Sequence, residues 1–148
     1  MAIKPPRKIS SYNMLEKLGR VRLSEHFFMR EFLYSCIGDY FKISNYPDDP
    51  ELAVEAGSRL CQDLLEPLKS KFEHVTIRSA FRNCTVNAYG NKHGHNCSSN
   101  EATYADHIWD RRDKDGNMGA CVACACWILV NHSAFRTSWR NVPLKRSL

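Results

Sequence analysis

Long hydrophobic runs are what this sequence lacks most clearly. Its longest apolar stretch extends from Ala120 to Val130, which is about half of the roughly 20 residues that a membrane-spanning helix needs. No apolar stretch follows the basic, proline-containing residues 1–8, so no secretory signal peptide is predicted. We therefore expect a protein that has no membrane span and is cytoplasmic when it is made.

A strong charge of one sign is also missing. The formal net charge is +5 over 148 residues, which favours an anionic partner without selecting one. Basic residues occur in short pairs such as Arg111-Arg112 and Lys145-Arg146, and no long basic stripe of the kind that follows a phosphate backbone is evident. Nucleic acid is therefore not expected as a partner, and the oligomeric state is not indicated.

The seven cysteines form no recognisable metal or disulfide framework. Cys121, Cys124 and Cys126 include a Cys-x-x-Cys, but no second Cys or His pair follows at zinc-finger spacing. Since they fall in an apolar run, we interpret them as part of the core. Cys84 and Cys97 bracket a polar segment and could pair, although cytoplasmic thiols are usually kept reduced.

The composition is that of an ordinary globular domain, with 43% hydrophobic and 25% charged residues. The length is suited to one domain with a core of useful size. Residues 1–21 are interpreted as a polar leader with a short helix from Tyr12 to Leu18. Residues 22–148 are interpreted as the single folded domain.

Two longer helices are predicted from apolar residues that recur at helical spacing. The first is capped by Ser24 and extends to about Tyr40. The second is capped by Asp49, extends to Phe72 and is the longest in the chain. Pro67 lies inside the second pattern and is expected to kink or end the helix near its last turn.

The periodicity changes from 3.6 to 2 at His74, which predicts a strand over His74–Ser79. A second strand is predicted over Tyr104–Asp110, and a turn at Asp115-Gly116 would lead into a third strand over Ala120–Ile128. Residues 83–100 are rich in Asn, Gly, Ser and His and are predicted to be a long, functional loop. The expected class is α+β, with helices packed on a small antiparallel sheet.

The most specific motif lies between Thr76 and Asp110. It resembles the zinc-site half of the D-Ala-D-Ala carboxypeptidase and hedgehog superfamily, in which a strand ends in Ser-Gly-Tyr-Arg, an Asn follows, and Ser-x-His…Ala-x-Asp-Ile brings two zinc ligands. A Ser-x-x-Phe…Glu-Phe signature precedes them, and the resemblance covers about residues 24–128. The matching residues here are Ser24, Phe27, Glu31, Phe32, Ile77-Arg78-Ser79-Ala80-Phe81-Arg82, Asn87, Ser98-Ser99-Asn100 and Ala105-Asp106-His107-Ile108.

The resemblance implies a hedgehog/DD-peptidase-like fold and a peptidoglycan stem peptide as the partner. It also implies zinc-dependent hydrolysis of cell-wall peptides, with export or release by another factor. The arginine that pairs with the substrate's terminal carboxylate maps to Arg82, and the serine before the first zinc ligand maps to Ser98. The two ligand positions map to Asn100 and His107. Arg82, Asn100 and His107 are therefore expected to converge on one cleft, with His107 a sound zinc ligand and Asn100 a weak one.

Two further parts of the family's site have no counterpart. After Glu101 the sequence contains no glutamate, so the general base is missing, and the Trp-x-His of the last ligand is absent too. We therefore expect a degenerate or C-terminally incomplete domain, with zinc weak or absent, little hydrolysis and no assigned catalytic residue. The alternative is a non-catalytic module that binds peptidoglycan or builds a phage particle.

Other histidines and aspartates admit more ordinary interpretations. His93-x-His95-x-Cys97 could bind a metal, but a polar loop with solvated histidines is the commoner arrangement. The acidic run that begins at Asp110 lacks EF-hand spacing and its closing glutamate, so a solvated turn is expected there. Without the resemblance, His107 would be interpreted as a hydrogen-bonded, half-buried histidine.

Overall fold

Short helices and one small antiparallel sheet build the protein in a computed structural model that describes residues 2–127. The α+β class is therefore confirmed at this level, whereas the hedgehog/DD-peptidase-like arrangement stays a prediction. In chain order the elements are α1 (Tyr12–Gly19), a 3-10 turn (Met29–Phe32), α2 (Cys36–Phe41), α3 (Pro50–Leu60), a π-helical turn (Cys61–Leu65), α4 (Glu66–Lys71), β1 (His74–Ser79), α5 (Cys84–Lys92), α6 (Asn100–Thr103) and β2 (Ala123–Trp127).

The sheet consists of β1 and β2, paired antiparallel with His74 opposite Trp127 and Ser79 opposite Ala123. The predicted strand His74–Ser79 is confirmed, and its residues alternate between exposed and half-buried. The predicted third strand starts later than expected, at Ala123, and its last residue, Ile128, lies outside the described part of the chain. Its partner is β1 rather than the segment that begins at Tyr104.

The strand predicted over Tyr104–Asp110 is wrong, because this segment folds back on itself in turns. Ala105 has a φ of 54°, and its N–H donates to the carbonyl groups of Ile108 (3.1 Å) and Arg111 (3.0 Å). Ile108, Trp109 and Asp110 are all buried in succession. A half-buried strand would instead expose every second side chain. The residue pattern that suggested a strand here therefore does not reflect one.

The long loop predicted over residues 83–100 is also wrong. The helix α5 occupies its first half, and the side chain of Asn83 caps it by accepting from the Val86 N–H at 2.8 Å. Val86, Asn87 and Gly90 form the buried side of this helix. Because its other residues are polar or small, the sequence shows little of the apolar periodicity that usually indicates a helix.

The helix predicted from Ser24 to Tyr40 is replaced by the 3-10 turn and by α2, which begins after the cap residue Ser35. Ser24 does not cap a helix. Its hydroxyl donates to a carboxylate oxygen of Glu66 at 2.6 Å, 42 residues away along the chain. A contact of this range leaves no local signal, so the apolar spacing alone favoured a continuous helix.

The longest predicted helix is largely confirmed. Asp49 accepts from the Leu52 N–H at 3.1 Å, and helical backbone continues from Pro50 through α3, the π-helical turn and α4. Proline lacks an N–H and crowds the carbonyl group four residues earlier. The wider turn at Cys61–Leu65 directly precedes the turn that contains Pro67, so the expected distortion takes this form.

The core centres on tilted and edge-on aromatic rings. Phe32 and Phe81 lie 5.5 and 6.0 Å from Trp109 between ring centroids, and all three side chains are fully buried. Leu18 of α1 is also fully buried and belongs to the same core, so the leader contributes to the packed structure. Within residues 2–127, no helix combines the length and apolar character required to cross a membrane.

The cysteines interpreted as core are buried. Cys121, Cys124 and Cys126 all have low exposure, and Cys84 and Cys97 do not form a disulfide with each other. Burial, with a smaller contribution from Cys126, raises the pKa of Cys124 to about 12. A thiol held in its protonated form is a poor nucleophile, which fits a packing role.

Gly57 permits the close approach of α3 to the aromatic core. A Cβ at this position would lie 2.7 Å from Cζ3 of Trp109. We expect Gly57→Ala to destabilise the protein by about 1–3 kcal/mol through overpacking, measured by chemical denaturation. The adjacent, half-buried Ser58→Ala is the control. A Gly57→Ala protein as stable as this control would contradict the packing described here.

Glu66 fastens the Ser24–His26 segment to α4. Its carboxylate accepts from the Ser24 hydroxyl and the His26 N–H, and Nδ1 of His26 lies 2.7 Å away. Burial alone would raise the pKa of Glu66, but these hydrogen bonds lower it overall. The stabilisation is therefore present above the unfolded pKa of about 4.3 and is lost as the pH falls through the lower folded value.

We expect Glu66→Gln to lower the free energy of unfolding by about 1–2 kcal/mol at pH 7, because charged hydrogen bonds are weakened. The difference from wild type should shrink as the pH falls below the unfolded pKa of glutamate. Denaturant unfolding at several pH values measures this. Glu55→Gln, an exposed glutamate of α3, is the control, and a pH-independent difference would contradict the proposed role of the carboxylate.

Candidate functional site

A polar cleft brings three of the predicted site residues together. Arg82, Ser98 and His107 line a cavity of about 660 Å³, a volume within the roughly 300–1,000 Å³ of small-molecule sites. The end of β1, the segment before α6, the turn at Asp106-His107 and the residues leading into β2 form its walls. These segments, which are separated along the chain, therefore meet at one cleft.

His107 is held in this cleft by two hydrogen bonds. The Arg82 N–H donates to the His107 carbonyl at 2.8 Å, and Nδ1 of the imidazole lies 2.6 Å from the Ala80 carbonyl oxygen. A carbonyl oxygen can only accept, so Nδ1 carries the proton. In the neutral ring Nε2 is then the nitrogen with a lone pair, which is the arrangement that hydrogen-bond-accepting and metal-binding histidines use.

The surroundings of His107 favour its neutral form. Burial lowers the pKa of the imidazole and the charge of Arg82 lowers it further, while the Ala80 carbonyl and Asp106 oppose this change. The overall pKa lies below the ordinary value, so the ring is uncharged at pH 7. His107 therefore offers a lone pair rather than a positive charge to a ligand.

Arg82 provides the positive charge of the cleft. The side chain is half-buried, and its Nε is fully buried with no hydrogen-bond partner among residues 2–127. Leaving a buried donor unpaired is costly, and a guanidinium pairs well with the two oxygens of a carboxylate or phosphate. The arginine is thus suited to binding an anionic group.

Asn100 does not line the cleft. Its Oδ1 accepts from the amide of Asn87 at 3.0 Å, and its own amide donates to the Cys84 carbonyl at 3.1 Å. The amide of Asn87 also donates to the carbonyl of Ser98 at 3.0 Å. In this conformation Asn100 joins α5 to α6, and its oxygen is already engaged.

The described residues do not form a zinc site. Zinc sites generally need at least three protein ligands, and no group of three or more His, Cys, Asp or Glu side chains within residues 2–127 is placed to hold a metal. Asp110 is buried, and Oδ2 accepts from the N–H of Asp48 at 2.7 Å, so it anchors the start of α3. Asp113 accepts from the N–H groups of Asp115 and Asn117 within its own turn.

Asp106 also lines the cleft, which the sequence pattern does not predict. The predicted strand placed Asp106 and His107 on opposite faces, whereas the turn brings both to the same cavity. The carbonyl of Asp106 accepts from the Cys121 N–H at 2.9 Å, which ties the turn to the residues before β2. This arrangement requires the φ of 54° at Ala105. Because alanine rarely adopts a positive φ, the sequence does not indicate this conformation.

Comparison with known proteins finds no matching family model, no matching curated protein and no matching solved structure.

We expect the imidazole of His107 to be the neutral, Nδ1-protonated form at pH 7 and to titrate below the roughly 6.5 of an unfolded reference peptide. Arg82→Gln should raise this pKa because it removes a neighbouring cation, while Arg78→Gln, which removes an exposed arginine of β1, should not. Two-dimensional ¹H–¹⁵N spectra recorded across a pH series measure both. A fall of the pKa in Arg82→Gln would contradict the electrostatics described.

Proposed function

We propose that this chain is a DD-peptidase-like domain that binds the carboxylate end of a peptidoglycan stem peptide in the Arg82–His107 cleft. It is related to zinc-dependent hydrolases of cell-wall peptides and retains binding more fully than catalysis. The observation that carries the proposal is the buried Nε of Arg82, which has no partner among residues 2–127 and belongs to a side chain lining a polar cleft.

A terminal carboxylate suits this cleft chemically. The guanidinium of Arg82 offers paired donors for the two carboxylate oxygens. The neutral His107 offers a lone pair on Nε2 that can accept the N–H of a peptide bond, and the Ser98 hydroxyl can donate or accept. These groups line one cavity with Asp106, so one short peptide can reach all of them.

The small number of possible zinc ligands in the cleft favours peptide binding without efficient hydrolysis. The amide oxygen of Asn100 is engaged with Asn87, and the described residues do not surround His107 with the further ligands that zinc requires. His107 would be the principal ligand for any zinc that binds. The chemistry of the cleft is therefore that of a carboxylate receptor.

The binding test uses a pentapeptide that ends in D-Ala-D-Ala, as the free acid and as the C-terminal amide, in isothermal titration calorimetry. We expect the free acid to bind and the amide to bind much more weakly. Arg82→Gln should reduce the affinity for the acid by about 10- to 100-fold, the value of one or two charged hydrogen bonds. Arg78→Gln is the matched control.

Equal affinity for the acid and the amide would refute the proposed carboxylate site. So would an Arg82→Gln protein that binds as well as wild type.

A second measurement separates binding from catalysis. We expect the purified protein to hold zinc weakly, if at all, and to release little or no D-alanine from the pentapeptide, since loss of a positioned general base typically costs about 10²–10⁴-fold. Metal analysis and a D-alanine assay of wild type and His107→Ala check this. Stoichiometric, tightly bound zinc with turnover that His107→Ala abolishes would restore the hydrolase interpretation.

A further inference from the structure

A second group of side chains, outside the cleft, forms an exposed cluster of rings. The aromatic–imidazole cluster consists of Tyr40, Phe41, Tyr89, His93 and His95. Phe41 lies 4.8 Å from Tyr89 and 5.3 Å from His95 between ring centroids, and the rings of Tyr89 and His93 are stacked at 4.0 Å. The cluster thus connects the C-terminal end of α2 with the C-terminal end of α5.

The cluster is exposed to an extent that packing alone does not explain. Tyr40 is 78% exposed and Phe41 is 36% exposed, and both histidines are exposed as well. Exposed apolar residues scattered singly are normal, but contiguous groups mark interaction sites. The cluster is therefore a candidate surface for a ligand.

The backbone after α5 holds the two imidazoles against the aromatic rings. Gly94 has a φ of 72°, which turns the chain back toward the end of α5. The His95 N–H then donates to the Gly90 carbonyl at 2.8 Å. Nδ1 of His93 lies 2.9 Å from the Tyr89 carbonyl oxygen, to which it donates. The ring planes of Tyr89, His93 and His95 lie within 14–24° of one another, so this side of the cluster is a group of nearly parallel rings.

The chemistry of these rings suits a sugar. A pyranose has a face of C–H groups that packs on an aromatic ring and a rim of hydroxyl groups that needs hydrogen-bond partners. Phe41 supplies an apolar face, while the phenol and imidazole rings add polar edges. A single-stranded nucleic acid would also stack, but it requires a basic groove along its backbone, and the sequence has no long basic stripe.

We propose that the aromatic–imidazole cluster binds a pyranose ring of a glycan by stacking. The inference rests on the proposed function for the choice of polymer, because the stem peptides of the cell wall are attached to a glycan. It also follows the connectivity of the chain: His95 belongs to the cluster, and the segment from Asn96 to Ser98, which begins one residue later, lines the Arg82–His107 cleft. A glycopeptide can thus contact both surfaces.

The test measures binding of the full chain to a β-1,4-linked N-acetylglucosamine oligomer that carries no peptide, and to the sugar-free pentapeptide, by calorimetry or NMR. We expect Phe41→Ala and His95→Ala each to reduce the affinity for the oligomer, Phe41→Ala by about tenfold, and to leave pentapeptide binding unchanged. Arg82→Gln should do the reverse. Tyr12→Ala, which removes a 73%-exposed tyrosine of α1, is the matched control.

Failure of wild type to bind the oligomer at millimolar concentration would overturn this inference, whatever the pentapeptide does. It would also be overturned if Tyr12→Ala weakened binding as much as Phe41→Ala, or if a single-stranded oligonucleotide bound at the cluster in place of the sugar. Oligomer binding that depends on Phe41, without any pentapeptide binding, would support the glycan surface and refute the carboxylate site. Circular dichroism of each variant establishes that it is folded.

Discussion

The candidate site depends on the junction between His107 and the residues that follow β1. One hydrogen bond joins the backbone of Arg82 to that of His107, and a second joins the imidazole to the Ala80 carbonyl. Both positions are therefore held relative to each other by backbone atoms. Trp109, two residues further on, is locked into the aromatic core beside Phe81, so the junction links the packing of the domain to the chemistry of the cleft.

The sequence predicts elements well where the signal is local. The strand His74–Ser79 alternates as expected, and the cap at Asp49 lies one residue before its helix. Prediction from sequence fails where contacts between residues far apart in the chain decide the conformation. Ser24 is held by Glu66 from 42 residues away, and the turn after Tyr104 buries consecutive residues, which no repeat of 2 or 3.6 describes.

The residues that line the cleft were predicted only in part, from the order of the motif rather than from periodicity. Arg82, Ser98 and His107 line one cleft, whereas the Asn100 amide is engaged between α5 and α6. The amide of an asparagine can form hydrogen bonds either with other residues of the protein or with a ligand. The residue type alone therefore does not reveal which kind of partner it has. Asp106 was missed because a strand would have turned it away from His107.

The π-helical turn has a consequence for how this helix tolerates changes in length. Each residue of an α-helix turns the chain by about 100°, and a π-helical turn accommodates one additional residue. Deleting a single residue within Cys61–Leu65 would remove the additional residue and leave the register unchanged, whereas winding all five residues into regular α-helix would rotate everything after them relative to α3. Glu66 would then point away from Ser24 and His26, so the less regular backbone is what keeps the two ends of this contact in register.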